Sequence, residues 1–136
     1  MKKMEEKMAS KAYAEDVTRL ARENENFRQV LFTTERSQLV LMSIPSGEEI
    51  GEETHEGIDQ VLAFVDGEGE AVIEGSSSAV RTGSVVVVPG GTRHNFIAKG
   101  DRPLKLYTVY TPPEHADGTM HRTKQEADEY ESAHHH

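Results

Sequence analysis

Apolar residues are spaced along this chain in two textures. Up to about Asn26 the chain is charged, and Val17, Leu20 and Ala21 fall at i, i+3 and i+4, a short stripe suited to one face of a helix. Ser10 is placed to cap such a segment, and Asn24 and Asn26 to end it. This predicts a short helical arm within residues 1–26, laid on the outside of something larger, with the residues before Lys11 loosely held. From Phe27 the texture is that of strands. Residues 27–33 and 38–44 are rich in β-branched and large apolar side chains, and residues 34–37 separate them as a hairpin connection would. Pro45-Ser46-Gly47 turns the chain, and residues 60–65 form the next strand. Asp66-Gly67-Glu68-Gly69 is a tight hairpin signal, with residues 70–74 returning. Further strands fall at 79–81, 84–88, 94–98 and 104–111, each set off by glycine, proline or polar turns. About eight short strands with no helical period among them predict an all-β sandwich or barrel over residues 27–111. Residues 112–133 read as a polar tail, in which 124–131 is either a helical turn or disordered.

Composition narrows the function. The chain has 136 residues, one domain's worth, and no cysteine, which excludes a disulfide scaffold, a thiolate metal site and a cysteine nucleophile. Fifteen Lys and Arg stand against 24 Asp and Glu, a net charge of -9. Such a surface repels phosphate backbones and anionic headgroups, so neither nucleic acid nor a membrane surface is expected as a partner. The longest aliphatic run, Val85 to Val88, is far too short to span a bilayer. No apolar stretch follows Lys2 and Lys3, so no secretory leader is expected and the location expected is the cytoplasm. His134, His135 and His136 read as the remnant of a purification tag, leaving His55, His94, His115 and His121.

Two of these histidines sit in spaced motifs. In the first, Gly47 is followed after five residues by Glu53, then His55, Gln60 and Gly67; in the second, Gly83 is followed after five residues by Pro89, then Gly91 and His94. The pair resembles the two motifs of the cupin superfamily, G-x5-H-x-H-x3,4-E-x6-G and G-x5-P-x-G-x2-H-x3-N, matching at every glycine and proline. The resemblance implies a double-stranded β-helix, the jelly-roll barrel, and a divalent metal held by the motif residues. Carried over position by position, His55 and His94 stand on family histidines. Glu53 replaces the first histidine, Gln60 replaces the glutamate, and Ala98 occupies the motif-two asparagine position with Asn95 nearby.

The chemistry of these residues can also be weighed directly. Glu53 and His55 are two apart, so an extended backbone points both to one face. With His94 they make two imidazoles and one carboxylate, a set that suits Fe(II) and related ions and leaves open positions. Gln60 is a weak carbonyl ligand, or orients His55 or a bound water from outside the ligand set. The ions expected are Fe, Mn, Zn or Ni. Each histidine has a plainer reading as a hydrogen-bonded core residue, and Glu53, among Glu48, Glu49, Glu52 and Glu56, as solvated surface. Gly47, Gly67, Gly83, Gly91 and Pro89 read as architecture. The segment 111–121 reads either as a surface loop or as a lid bringing His115 or His121 to the site as general acid or base. Tyr107 and Tyr110, three apart, should face opposite ways, and Arg93 and Arg102 read either as contacts for an anionic substrate or, more simply, as surface charges.

Three functions fit: a metalloenzyme acting on a small polar metabolite, dioxygenase-like or isomerase-like; a barrel that binds a small molecule without turning it over; or a metal-free structural barrel. An unpaired first strand would suit pairing with a second subunit, so a homodimer is expected.

Overall fold

A computed structural model of the chain describes residues 12–133. The expectations for Ser10, for the residues before Lys11 and for His134 to His136 lie outside the described residues. Nine strands form two antiparallel sheets. They are β1 (Arg28–Thr33), β2 (Gln38–Ile44), β3 (Asp59–Asp66), β4 (Glu68–Ile73), β5 (Ser76–Arg81), β6 (Val85–Val88), β7 (His94–Ala98), β8 (Leu104–Thr111) and β9 (Met120–His121). The first sheet runs β6-β3-β8-β2-β1-β9 and the second β5-β4-β7. This is the jelly-roll arrangement expected; eight of the nine strands overlap expected ones, although β5 begins at Ser76, three residues before the strand expected at 79–81. No helix among the described residues is long and apolar enough to cross a membrane.

The inward side chains of both sheets meet in one core. In the large sheet they stack in rows set by strand register. Met42, Leu106 and Phe64 form one row, Val40, Thr108 and Leu62 the next, and Gln38, Tyr110, Gln60 and Val88 the last. The first row is apolar and the last is half polar, so chemistry collects at one end of the barrel. Phe96 and Ala71 face these rows from the small sheet, and Phe64 and Phe96 meet at 5.8 Å between ring centroids. Burying each Leu, Met or Phe side chain of these rows contributes roughly 1.5–3 kcal/mol.

The helical arm is α1 (Val17–Glu23). Its N-cap is Asp16, whose side chain accepts from Arg19 N at 3.2 Å, and Asn24 ends it. Ala21 and Leu20 pack with Leu41, Val65 and Tyr107 on the outer face of the large sheet. Tyr107 therefore belongs to this outer cluster and Tyr110 to the barrel core, the opposite facing that their spacing required.

The residues after Thr111 turn back over the barrel. Gln38 holds them: its Oε1 accepts from Glu114 N (3.2 Å) and His115 N (2.9 Å), and its Nε2 donates to His115 O (2.6 Å). Next, β9 pairs with β1 at Arg28 and Gln29. Finally α2 (Lys124–Ala133) buries Ala127 in the main core. The sequence reads residues 112–133 as a polar tail, with 111–121 a surface loop or a lid and 124–131 a helical turn or disordered. The anchors are the Gln38 side chain, the short β9 ladder and one buried alanine, too few for an apolar period. The β1 edge that prompted the homodimer expectation is thus occupied by β9 at two positions.

Candidate metal centre

The two sequence motifs lie side by side as main chain. Residues 47–55 run antiparallel to β7, with Ile50 N donating to Phe96 O (2.9 Å). Glu53 and His94 exchange both backbone hydrogen bonds, at 2.8 and 2.9 Å. Glu49 bridges Ile97 and Glu53 bridges His94, so four steps on one side oppose three on the other. The extra residue is taken up at Gly51 and Glu52, opposite Asn95. Gly51 has φ +107°, a region that L side chains rarely adopt. The Asn95 side chain fills the gap in the ladder, its Oδ1 accepting from Gly51 N and Phe96 N, each at 2.8 Å. Such a bulge shifts the inside–outside alternation by one. Ile50 faces the core before it, and Glu53 and His55 face inward after it, while Glu52 and Glu56 stay exposed. Of the acidic run, Glu53 alone therefore reaches the interior.

Glu53, His55 and His94 form a cluster whose ligand atoms all lie within 4.8 Å of one another. Glu53 Oε1 is 3.3 Å from His55 Nε2 and 4.0 Å from His94 Nε2. Donor atoms sharing one ion at bonds of about 2.0–2.2 Å stand roughly 3–4 Å apart, so these spacings fit an ion with little movement. The outer nitrogens are already engaged. His94 Nδ1 lies 2.8 Å from Thr92 O, an acceptor, so Nδ1 carries the proton and Nε2 presents its lone pair. His55 Nδ1 faces Glu114 Oε2 at 3.5 Å, an outer carboxylate that orients the ring in the same sense. Both Nε2 atoms are buried; His55 Nε2 pairs with the Glu53 carboxylate, and His94 Nε2 has no hydrogen-bond partner.

Gln60 supplies another such atom. Its Nε2 donates to Thr108 Oγ1 (3.1 Å), and Thr108 Oγ1 donates to Val61 O (2.8 Å). The amide oxygen is left buried and without a partner. Gln60 is 2% exposed, and its register neighbour Tyr110 touches the His55 ring edge-on, at 5.8 Å between centroids.

Electrostatics favour positive charge here. Burial alone would lower the His55 pKa; the Glu53 hydrogen bond and charge, with Glu114 and Glu131, outweigh it and hold it above the ordinary value. Burial raises the pKa of Glu114 and that of Tyr110, which stays a neutral phenol. His115 packs its ring against Tyr110 at 5.1 Å, and burial, then the Arg28 charge, push its pKa down to about 3. His121 pairs with Arg28 across β9 and β1. Neither joins the Glu53–His55–His94 cluster.

A family model described as a cupin domain matches residues 40–110. The chain belongs to the cupin family. This cupin is 40% identical over 123 residues to an uncharacterised protein of Bacillus subtilis strain 168, covering 86% of this chain and 66% of that protein. It thus spans just under two thirds of that relative's length. A protein of Acanthamoeba polyphaga mimivirus, also uncharacterised, is 32% identical over 115 residues, covering 82% of this chain and 72% of the other. Among solved structures, a protein of Bacillus halodurans superposes with a TM-score of 0.85 at 36% identity, covering 86% of this cupin and 93% of that chain. The family read in the two motifs is therefore the family of the chain.

Within this cupin the structure brings Glu53, His55 and His94 together, places Gln60 in the polar row with its oxygen free, and stations His115 behind Tyr110. Arg93 and Arg102 lie on the surface, in ion pairs with Glu52 (3.4 Å) and Asp66 (3.0 Å). Sequence reasoning passed over Glu114, Thr108, Gln38 and Arg28. Strand parity held a signal for the last three: each shares the inward alternation of Val30, Val40 or Leu106.

Proposed function

We propose that this cupin is a metalloprotein that holds one divalent ion through Glu53, His55 and His94, with the Gln60 oxygen as a fourth, weaker donor. The observation that carries this reading is the cluster of Glu53, His55 and His94, whose ligand atoms all lie within 4.8 Å of one another, with His94 Nε2 buried and unpartnered. Leaving a buried polar group unsatisfied costs about 1–3 kcal/mol, so His94 Nε2 and Gln60 Oε1 each favour an occupant. Two imidazoles, a carboxylate and an amide oxygen suit Fe(II) or Mn(II), with Zn(II) and Ni(II) also accommodated. When bound, such an ion supplies Lewis acidity toward an oxygen of a small polar metabolite, the basis for dioxygenase-like or isomerase-like chemistry. The chain's own contribution is positional. Thr92 and Glu114 fix the ring orientations, Thr108 fixes the amide, and Tyr110 walls the site with a neutral phenol.

The test is metal content by mass spectrometry on protein lacking His134 to His136. About one ion per chain is expected, lost in His55→Ala and His94→Ala and reduced in Glu53→Gln. An iron signal leads to oxygen-uptake assays, and zinc or manganese to isomerase substrates. No ion above background after reconstitution overturns the reading.

A further inference from the structure

Among the described residues, Arg28 is the only arginine or lysine that is buried, at 3% exposure. It stands on the inward parity of β1 with Val30, and its register partner Met42 belongs to the core row of Leu106 and Phe64. A guanidinium keeps its charge and carries five N–H donors. Here Nε and Nη1 are buried without a hydrogen-bond acceptor. The acid facing it is Glu131 of α2, with Nη1 and Oε2 4.0 Å apart, beyond hydrogen-bond length, and Glu131 is half exposed. The Phe27 ring centroid lies 5.2 Å away, a weak cation–π contact. Neither replaces the water that burial removed from the guanidinium.

Two imidazoles beside it also carry a buried ring nitrogen without a partner. His121 is the register partner of Arg28 on β9, and its Nδ1 is buried without a partner. His115, held over the barrel by Gln38, has a buried Nε2 without a partner. Burial first, then the Arg28 charge, holds both imidazoles below their usual pKa, so both stay neutral with one N–H each to offer. The same charge reaches Tyr110 and Glu114, which border the metal centre. Arg28 and His121 thus lie opposite each other on β1 and β9, with His115 held over the barrel by Gln38 on the returning segment, and the guanidinium lacks an acceptor.

We infer that Arg28, with His115 and His121, forms a subsite for the carboxylate or phosphate group of the small ligand that the barrel holds. The inference names the ligand class of the proposed function and rests on it only for the ligand's other end. An oxyanion here neutralises the guanidinium and accepts from the imidazoles, charge-assisted bonds about twice as strong as neutral ones. The competing role for Arg28 is a structural staple to Glu131. The two roles differ in what Glu131→Gln does. A subsite binds anions more tightly once the neighbouring carboxylate is gone; a staple only loosens α2.

Isothermal titration at constant ionic strength, with malonate and with inorganic phosphate as probes, decides between them. It is run on protein as purified and on chelator-treated protein. One site per chain is expected in both preparations for at least one probe, and the stronger probe identifies the anion. Arg28→Gln should weaken binding on the order of tenfold or more, and Glu131→Gln should strengthen it severalfold. Should Arg28→Gln fail to fold, Glu131→Gln and His121→Gln carry the test, the latter with weakened binding. No binding of either probe, or an affinity that Glu131→Gln leaves unchanged while its melting temperature falls, overturns the subsite. Binding confined to metal-loaded protein and insensitive to Arg28→Gln puts the anion on the metal, overturning the subsite and sparing the proposed function. Arg28-dependent binding in a protein that holds no metal does the reverse.

Discussion

Thr108 decides which end of the Gln60 amide is left unpartnered. A hydroxyl has one proton, and that of Thr108 goes to Val61 O, so toward Gln60 it can only accept. The amide nitrogen is thereby tied back and the oxygen turned to the interior. Thr108→Val keeps the shape and removes the acceptor. It should cost about 1–3 kcal/mol for the stranded Nε2 and weaken metal binding roughly 10- to 100-fold. Competition with a chelator of known affinity measures the second effect; unchanged affinity would show that Gln60 is no ligand. Gln60 was legible from motif spacing. Thr108 was not, because threonine in a strand is first of all a good strand former, and only its register beside Gln60 and Leu62 gives its hydroxyl a purpose. Arg28 was hidden differently: a lone arginine between Phe27 and Val30 looks like the solvent side of a strand until parity is counted.

The element that places the site is the irregular strand of residues 47–55. The two-residue spacing of Glu53 and His55 showed that both share a face, but not which face. That depends on the extra residue at Gly51 and Glu52, and so on how the segment pairs with β7, which no local pattern states. Deleting Glu52 should restore even pairing with β7 and turn Glu53 and His55 outward. The expected product is a folded, metal-free barrel, seen as native circular dichroism with no ion by mass spectrometry. Glu52→Ala, which keeps the count and alters only an exposed side chain, should retain the ion. A deletion variant that still binds metal would refute this account of the bulge. The other strands were legible because their inward residues are apolar and alternate cleanly, as in Leu104, Leu106 and Tyr110 against Lys105, Tyr107 and Val109.

At the scale of the whole molecule, the C-terminal strap ties the barrel to its own acid sensitivity. His115 is neutral in the fold, with a pKa near 3, whereas an unfolded histidine titrates near 6.5. Between these values the unfolded chain takes up a proton that the folded chain refuses. Stability should therefore fall as pH drops below about 6.5, by at most about 1.4 kcal/mol per pH unit from this residue. In metal-free protein, His115→Phe keeps the ring contact with Tyr110 and should flatten that slope. Urea midpoints followed from about pH 7 to about pH 4 should converge on, then favour, the variant; parallel curves would show that His115 is protonated in the fold. The strap itself escaped the sequence because its anchors are a buried glutamine, a two-residue strand and one buried alanine. None of these makes a period.

The paired hydrogen bonds between Glu53 and His94 have a consequence for inheritance. They are made by main chain, so the position that points into the barrel is kept whatever side chain occupies it. The fold holds a socket there rather than a residue. A descendant that exchanges the carboxylate of Glu53 for an imidazole changes the hardness of the ligand set, and with it the ions it prefers, without renegotiating the architecture. Cupins carry histidine at the place where this chain has glutamate, and the two differ by what is plugged into a common mount.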